Sequence, residues 1–139
     1  MPWPISFAVH LWFVVTCDGV SDRYEVWAFR GKFKGSLIAK NAVPLECGFR
    51  RTYFDNPINP VHTGVTTKLW EVEGGEGSVA TQLYYRIVTS AKVYEYNTFY
   101  RLWPGPNSNS YIAWCLAPYS DLLSTLPFAA FGKNFTKNL

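Results

Sequence analysis

The chain has 139 residues, 48% hydrophobic and 17% charged, a composition that excludes intrinsic disorder and suits one domain spanning residues 1–139. The net charge is only +3. Because the Lys and Arg residues are scattered, whereas a nucleic-acid-binding surface clusters them, we expect no nucleic-acid partner. Aromatic residues make up 18% of the chain. Large aromatic side chains are favoured in cores and at interfaces, so the content indicates an aromatic-rich core or a surface covered by the protein partners that we expect.

The cysteines and the N-terminal segment indicate the cellular compartment of the protein. Cys17, Cys47 and Cys115 are widely spaced and show no zinc-ligand spacing, and their odd number argues against a complete disulfide framework, although one bridge with one free thiol stays open. We interpret them as three buried thiols in a reducing compartment. The apolar run near the N-terminus has no basic residues before it and is too short to cross a bilayer. The sequence therefore predicts no signal peptide and no membrane span, and a protein that is soluble or peripheral to a membrane complex. It also predicts no metal and no cofactor.

The first half of the chain predicts an antiparallel meander. The nearly continuous apolar run Phe7–Thr16 predicts a strand buried on both faces, and the alternation over Arg23–Phe29 predicts a second strand. A third is predicted over Ser36–Val43. Pro44–Thr66 is predicted to be a long loop, since it contains two Asn-Pro steps that disfavour helix. One more strand is predicted over Thr66–Gly74.

The second half predicts helices. Apolar residues at spacings of three and four over Ser78–Tyr96 predict an amphipathic helix with Ser78 near its N-cap. A second helix is predicted over Ser110–Leu116, and a short third one begins near Ser120. The predicted fold class is therefore α+β, an antiparallel meander sheet with two to three helices.

His10 is the first candidate for chemistry. On a regular strand it shares a face with Trp12, and an imidazole in so apolar a run needs a hydrogen-bond partner. Two interpretations stay open: a core histidine bonded to a backbone or hydroxyl group, or a general base fixed on a rigid strand. Glu25, Glu71 and Glu73 also lie in strand-like contexts, where alternation leaves most of them in solvent.

The loop before the second helix is the other candidate. Pro104, Gly105 and Pro106 suit a rigid corner. Four good N-cap residues follow, although capping requires one: Asn107, Ser108, Asn109 and Ser110. A helix N-terminus also favours a developing anion. Ser108 is therefore a candidate nucleophile with His10 as its base, supported by its three polar neighbours.

Three aromatic or basic residues near these two regions are candidate binding residues: Trp12, Arg101 and Trp103. The guanidinium of Arg101 suits a carboxylate or a phosphate. A plain surface role is the alternative for Arg101.

Several blocks in order, HLW, RYEVWAFRG, YRLWPGPNSNSYIAW and LPFAAFGKNF, resemble an uncharacterised bacterial family known as a domain of unknown function. Its features are a His-x-Trp strand, a Pro-Gly-Pro-Asn-Ser-Asn-Thr-Phe motif and a C-terminal Gly-Lys-Asp. The chain departs mildly from these at Ser110, Tyr111 and Asn134, and the segment Leu45–Trp70 matches poorly. The resemblance implies a related fold and no particular activity.

The chain is also distantly similar to circularly permuted papain-like proteins, including NlpC-type peptidases and lecithin:retinol acyltransferases. Their early-strand histidine is followed, much later, by an Asn-Cys-x-x-Phe pattern that opens a helix. The run Asn107–Tyr111 resembles that pattern with Ser108 in the cysteine position. A hydroxyl is far less acidic than a thiol, so Ser108 would need a well-placed base and an oxyanion hole.

Two main functions follow from these patterns, and small-ligand binding is a third alternative. The missing thiol and the aromatic content favour a non-catalytic structural or interaction subunit of a larger assembly. The alternative is a hydrolase or acyltransferase that uses the Ser108/His10 pair. The third member of such a triad and the oligomeric state are left open.

Overall fold

The computed structural model describes residues 10–27, 37–45, 67–101 and 104–135. Within these ranges an antiparallel three-stranded sheet is followed by three helices, which confirms the predicted α+β class. The elements are strands β1 (Phe13–Cys17), β2 (Val20–Val26) and β3 (Ile38–Lys40) and helices α1 (Val79–Val93), α2 (Ser108–Leu116) and α3 (Ser120–Leu123).

The sheet is a meander in the order β1-β2-β3. In its first hairpin Phe13 lies opposite Tyr24, and Cys17 lies opposite Val20. The turn residues Asp18 and Gly19 both have positive φ, 50° and 77°. A tight hairpin turn needs this backbone because its twist matches that of the strands it joins.

The strand predictions need two corrections. Two-sided burial was predicted for the first strand, but in β1 Phe13 is buried while Val14 is 46% exposed. Two-sided burial is instead found in the second half of β2, from Arg23 to Val26. The strand predicted over Thr66–Gly74 is absent from its described part, residues 67–74. A strand needs a neighbour for its backbone hydrogen bonds, and no described strand pairs with this segment.

The helices follow the predicted order. At the start of α1 the Ser78 hydroxyl accepts the Thr81 N–H, which confirms the predicted cap. Helix α2 begins at Ser108 rather than at Ser110, because Asn107 is its N-cap. None of the described helices is long and apolar enough to cross a membrane.

One face of the sheet packs on α1 and α2 to form the core. Phe13 meets Tyr111 of α2 edge to face, with their ring centroids 6.3 Å apart. The other main members are Tyr24, Val26, Leu83, Ile87, Ile112, Cys115 and Leu116. This packing fixes α2, and with it the polar loop at its N-terminus, against the sheet.

Arg86 joins α1 to the C-terminal end of α2. Its guanidinium carbon lies 4.0 Å from the centre of a Trp114 ring, and its nitrogens donate to the carbonyls of Trp114 and Cys115 at 2.7 and 3.0 Å. The last carbonyls of a helix lack partners within it and favour a cation. Arg86 therefore stabilises this end of α2 as well as the packing of the two helices.

The cysteines correct one prediction. Cys115 is buried and free, and burial raises the pKa of its thiol to about 12. Cys17 is free but exposed, because it ends β1 beside the hairpin turn. The prediction of buried thiols is therefore wrong at Cys17, and Cys47 lies outside the described residues.

Candidate functional site

His10 lies just before β1 and is bonded to a carboxylate. Its Nε2 is 2.6 Å from Oε2 of Glu25 on β2. The His10 side chain is 22% exposed, whereas that of Glu25 is fully buried. A partner for His10 was expected, but as a backbone or hydroxyl group. The expectation that most of the glutamates are solvated fits the exposed Glu71 and is wrong at Glu25.

Arg23 binds the Glu25 carboxylate on its buried side. Its Nε donates to Oε1 of Glu25 at 2.7 Å and its Nη2 donates to Oε2 at 2.9 Å, and both side chains are fully buried. Its Nη1 donates to the Pro44 carbonyl at 2.9 Å. Burying two charges costs desolvation that only close, fully bonded geometry offsets, and this two-point pairing supplies it. We call His10, Glu25 and Arg23 the charged cluster.

The charge of Glu25 follows from these contacts. Burial alone would raise its pKa, but hydrogen bonds from His10 and Arg23, together with the charges of both, hold the pKa below its ordinary value of 4.5. Glu25 is therefore an ionised carboxylate near neutral pH. An ionised carboxylate beside an imidazole can orient the ring and stabilise its protonated form.

Trp12 and Trp27 flank the imidazole of His10. Their ring centroids lie 6.1 and 5.9 Å from that of His10. Trp12 also donates from its indole to the Leu45 carbonyl at 3.0 Å, and the Arg23 guanidinium lies 4.0 Å from the centre of a Trp12 ring. Trp12 thus packs between His10 and Arg23, and a role for it in ligand binding stays a prediction.

Of the other two predicted binding residues, Arg101 and Trp103, the structure describes only Arg101. Arg101 is exposed, its guanidinium carbon lies 5.3 Å from the centre of the Phe99 ring, and its backbone N–H donates to the Pro106 carbonyl at 2.8 Å. Trp103 lies outside the described residues. Ligand binding at both positions stays a prediction.

At the start of α2 the polar loop forms a reciprocal cap. Oδ1 of Asn107 accepts the N–H groups of Asn109 and Ser110 at 2.9 and 3.2 Å, while the Asn107 N–H donates to the Ser110 hydroxyl at 3.1 Å. This arrangement satisfies two of the N–H groups that a helix start leaves without partners, those of Asn109 and Ser110.

The same side chains bind the C-terminal segment. Asn107 and Asn109 both donate from Nδ2 to the Phe131 carbonyl, at 3.0 and 3.1 Å, and the Ser110 hydroxyl donates to the Gly132 carbonyl at 2.7 Å. We call these five residues the loop clasp. Capping needs one of the four polar side chains, Asn107, and the clasp accounts for two of the other three, Asn109 and Ser110.

Gly132 is required by this close approach. It has a φ of +94°, and a Cβ at this position would overlap the side chain of Asn107. Both conditions exclude a larger residue without strain. The carbonyl of Gly132 can therefore reach Ser110 because residue 132 has no side chain.

Ser108 is the one of the four polar residues that takes no part in the loop clasp. It is the first residue of α2 and is 6% exposed, and its hydroxyl makes no hydrogen bond within the described parts of the chain. In particular, no hydrogen bond joins it to His10. A nucleophile and its base are often loosely placed before a substrate binds, so this pairing stays a prediction.

A series of contacts leads from His10 to the segment that follows the loop clasp. Trp27 packs on His10, and its N–H donates to the Leu37 carbonyl at 3.2 Å. The Leu37 N–H donates in turn to the Asn97 carbonyl at 2.6 Å. Beside Asn97, the ring of Tyr96 lies 5.2 Å from that of Phe135, just after the clasp carbonyls.

His10 and Ser108 belong to regions on opposite faces of the sheet. Glu25 alternates along β2 with Tyr24 and Val26, which face the helices. The carboxylate that holds His10 therefore lies on the face directed away from α2. A reaction that uses both His10 and Ser108 has to take place around the end of the sheet.

These features define a small α+β domain with a charged cluster on one sheet face and a clasped helix N-terminus beyond the other. The chain belongs to the DUF3750 family, described as a protein of unknown function, whose model matches residues 1–135. The family resemblance of the sequence blocks is thereby confirmed. No curated protein and no solved structure matches the chain. The similarity to permuted papain-like proteins stays a prediction.

Proposed function

We propose that the domain is a hydrolase or acyltransferase in which His10 is the general base. The observation that supports this is the 2.6 Å hydrogen bond from a partly exposed imidazole to a fully buried carboxylate. A base that reaches solvent and is oriented by a third group is the arrangement that activates nucleophiles in many enzymes. Buried charges also cost stability, so their presence is easier to understand at a site that uses them.

Ser108 is the proposed nucleophile. It opens α2, whose dipole favours the oxyanion that forms during acyl transfer, although the N–H groups of Asn109 and Ser110 are bonded to Oδ1 of Asn107 and would have to exchange that partner to bind it. Its oxygen bonds to the carbonyl carbon of an ester or amide as its proton passes to His10, and the leaving group then departs with that proton. Attack by water on the acyl-serine completes hydrolysis, and attack by an alcohol or amine completes transfer.

A fluorophosphonate probe, which labels activated serines, tests this proposal. We expect wild-type protein to be labelled at Ser108, as located by mass spectrometry, and labelling to be lost in Ser108→Ala and in His10→Ala. Ser124→Ala removes an exposed serine on another segment and should label like wild type. Equal labelling of Ser108→Ala and wild type would show that Ser108 is not the nucleophile.

A non-catalytic interaction subunit is the second candidate, and the loop clasp favours it. The clasp uses three of the four polar side chains for the fold itself. Phe128 and Tyr85 are 88% and 60% exposed, which suits contact with a protein partner. For this function we expect light scattering after size exclusion to show self-association that Phe128→Ser reduces. A soluble monomer with no self-association would count against it.

A further inference from the structure

The charged cluster is an unbroken line of contacts from the surface to the interior. His10 is partly exposed, whereas Glu25 and Arg23 behind it are fully buried. The Arg23 guanidinium engages both oxygens of Glu25, and His10 bonds to one of them. The carboxylate therefore cannot turn without breaking a charged hydrogen bond, so its position relative to the imidazole is fixed.

We propose that Glu25 and Arg23 are positioning residues that hold His10 with a hydrogen on Nε2, so that Nδ1 is the atom that accepts the proton. For the use of this base the inference rests on the function proposed above. The arrangement of hydrogens itself is measurable without any activity, and the two claims can therefore fail separately.

The assignment of the hydrogen follows from the charge of Glu25. An ionised carboxylate only accepts hydrogen bonds, so the hydrogen in the 2.6 Å contact must be carried by Nε2 of His10. In a neutral imidazole one nitrogen carries the hydrogen and the other the lone pair. The lone pair is then on Nδ1, and this nitrogen faces away from Glu25.

Arg23 favours this arrangement of hydrogens. Without its guanidinium only His10 would oppose the effect of burial on the Glu25 pKa, and a carboxyl group that becomes protonated can donate to Nε2. The hydrogen of the ring would then be on Nδ1, and His10 would no longer offer a lone pair there. Arg23 therefore acts through Glu25 on the base and does not touch a substrate.

Two further contacts hold this arrangement in place. Trp12 packs against both His10 and the Arg23 guanidinium, which limits rotation of the imidazole. The Pro44 carbonyl accepts a hydrogen bond from Nη1 of Arg23, the nitrogen that does not bond to Glu25. When Nδ1 takes the proton of an attacking hydroxyl, the imidazolium lies beside the Glu25 charge, and the proton leaves again with the departing group.

Nitrogen-15 NMR of the full chain tests the inference. The sequence contains two histidines, His10 and His62, so His62→Ala assigns the ring signals without ambiguity. We expect wild-type protein to show a hydrogen-bonded, slowly exchanging ring proton on Nε2 of His10, shifted far downfield. In Glu25→Gln this proton should lose its shift and its protection. Glu71→Gln, the same change at an exposed carboxylate, should leave it unaltered.

The wild-type spectrum decides the inference even if Glu25→Gln does not fold. A ring proton on Nδ1 of His10, or no protected ring proton on this residue, would overturn it whatever the labelling experiment shows. A protected Nε2 proton together with unlabelled Ser108 would instead overturn the proposed nucleophile and leave the positioning intact. If His10-dependent ester hydrolysis is found, Glu25→Gln should lower kcat roughly tenfold or more with little change in KM, since a general base contributes about 10²-fold or more.

Discussion

The charged cluster and the loop clasp bury polar groups by different means. In the cluster, Arg23 and Glu25 are full charges, and each compensates the other. In the clasp, neutral amides and a hydroxyl donate to the carbonyls of Phe131 and Gly132. A buried charge that loses its partner is far more costly than a neutral group that does, because its desolvation is then uncompensated. The two regions should therefore differ in their response to substitution and to pH.

The regions also differ in what they connect. The cluster joins the first hairpin to the segment at Pro44, whereas the clasp joins the start of α2 to residues 131–132. The two regions share no hydrogen-bond partner among the described residues. Substitutions in one should thus add to substitutions in the other, and substitutions within one should not.

The largest effect is expected from Arg23→Met. This change leaves the Glu25 carboxylate buried without its guanidinium, and breaking a buried pair in this way costs about 3–5 kcal/mol. We expect the free energy of unfolding, measured by urea denaturation, to fall by this amount or the protein to fail to fold.

Lys68→Met is the matched control for Arg23→Met. It removes the cation of an exposed pair, Lys68 with Glu71 at 2.9 Å, and exposed pairs contribute about 0–1 kcal/mol. If the two substitutions cost the same, the charges of the cluster are not what stabilises that region.

The next largest effect is expected from Gly132→Ala in the clasp. The new methyl group overlaps the Asn107 side chain, and the backbone has a φ of +94°. We expect a loss of about 1–3 kcal/mol from the strained backbone, and more from the overlap. Gly19→Ala separates the two causes, since Gly19 has a positive φ but open space where its Cβ would stand. Equal losses in both variants would mean that the approach of Asn107 contributes nothing.

A smaller loss is expected from Asn107→Ala. The change removes a helix cap, which costs about 1 kcal/mol, and also a hydrogen bond to Phe131, which contributes about 1 kcal/mol. Ser78→Ala removes the cap of α1 and only a local bond to the Thr81 hydroxyl, with no bond to another segment, and should cost less. The double variant Asn107→Ala/Gly132→Ala should cost less than the sum, because truncating Asn107 relieves the overlap. Additive losses would contradict a direct contact between the two residues.

The sequence predicts the framework of the cluster but not its composition. The hydrophobic patterns predict three strands of the meander and the helices, but also a strand over Thr66–Gly74 that is absent from residues 67–74. His10 in an apolar run predicts a hydrogen-bond partner. Glu25 is missed because alternation predicts one strand face in solvent, whereas β2 is buried on both faces from Arg23 onward. The available signal was the Arg23–Glu25 spacing, opposite charges two residues apart and thus on one face of a strand.

The clasp is predictable to a lesser extent. Capping by one of the four polar residues follows from residue type, although not which of them is the cap, and the acceptors at residues 131 and 132 are backbone carbonyls, which every residue possesses. Their position depends on how the chain returns after α3, and no local pattern encodes that path. Gly132 was the one hint, since a glycine permits a close approach of two segments.

The smallest expected effect is a difference between the charged cluster and the loop clasp in how their contribution to stability depends on pH. In the folded protein the pKa of Glu25 lies below its ordinary value of 4.5, so the unfolded chain binds its proton at higher pH than the folded protein does. The stability that Glu25 contributes is then fully present above about pH 4.5 and is lost as the pH falls through the folded-state pKa.

We expect the free energy of unfolding of wild type to decline below that pH. Asn107→Ala should follow a parallel curve because the clasp groups do not titrate. Glu25→Gln, if it folds, should flatten the decline, whereas Glu71→Gln should not. An unchanged decline in Glu25→Gln would assign the acid sensitivity to other carboxylates and remove the distinction between the cluster and the clasp.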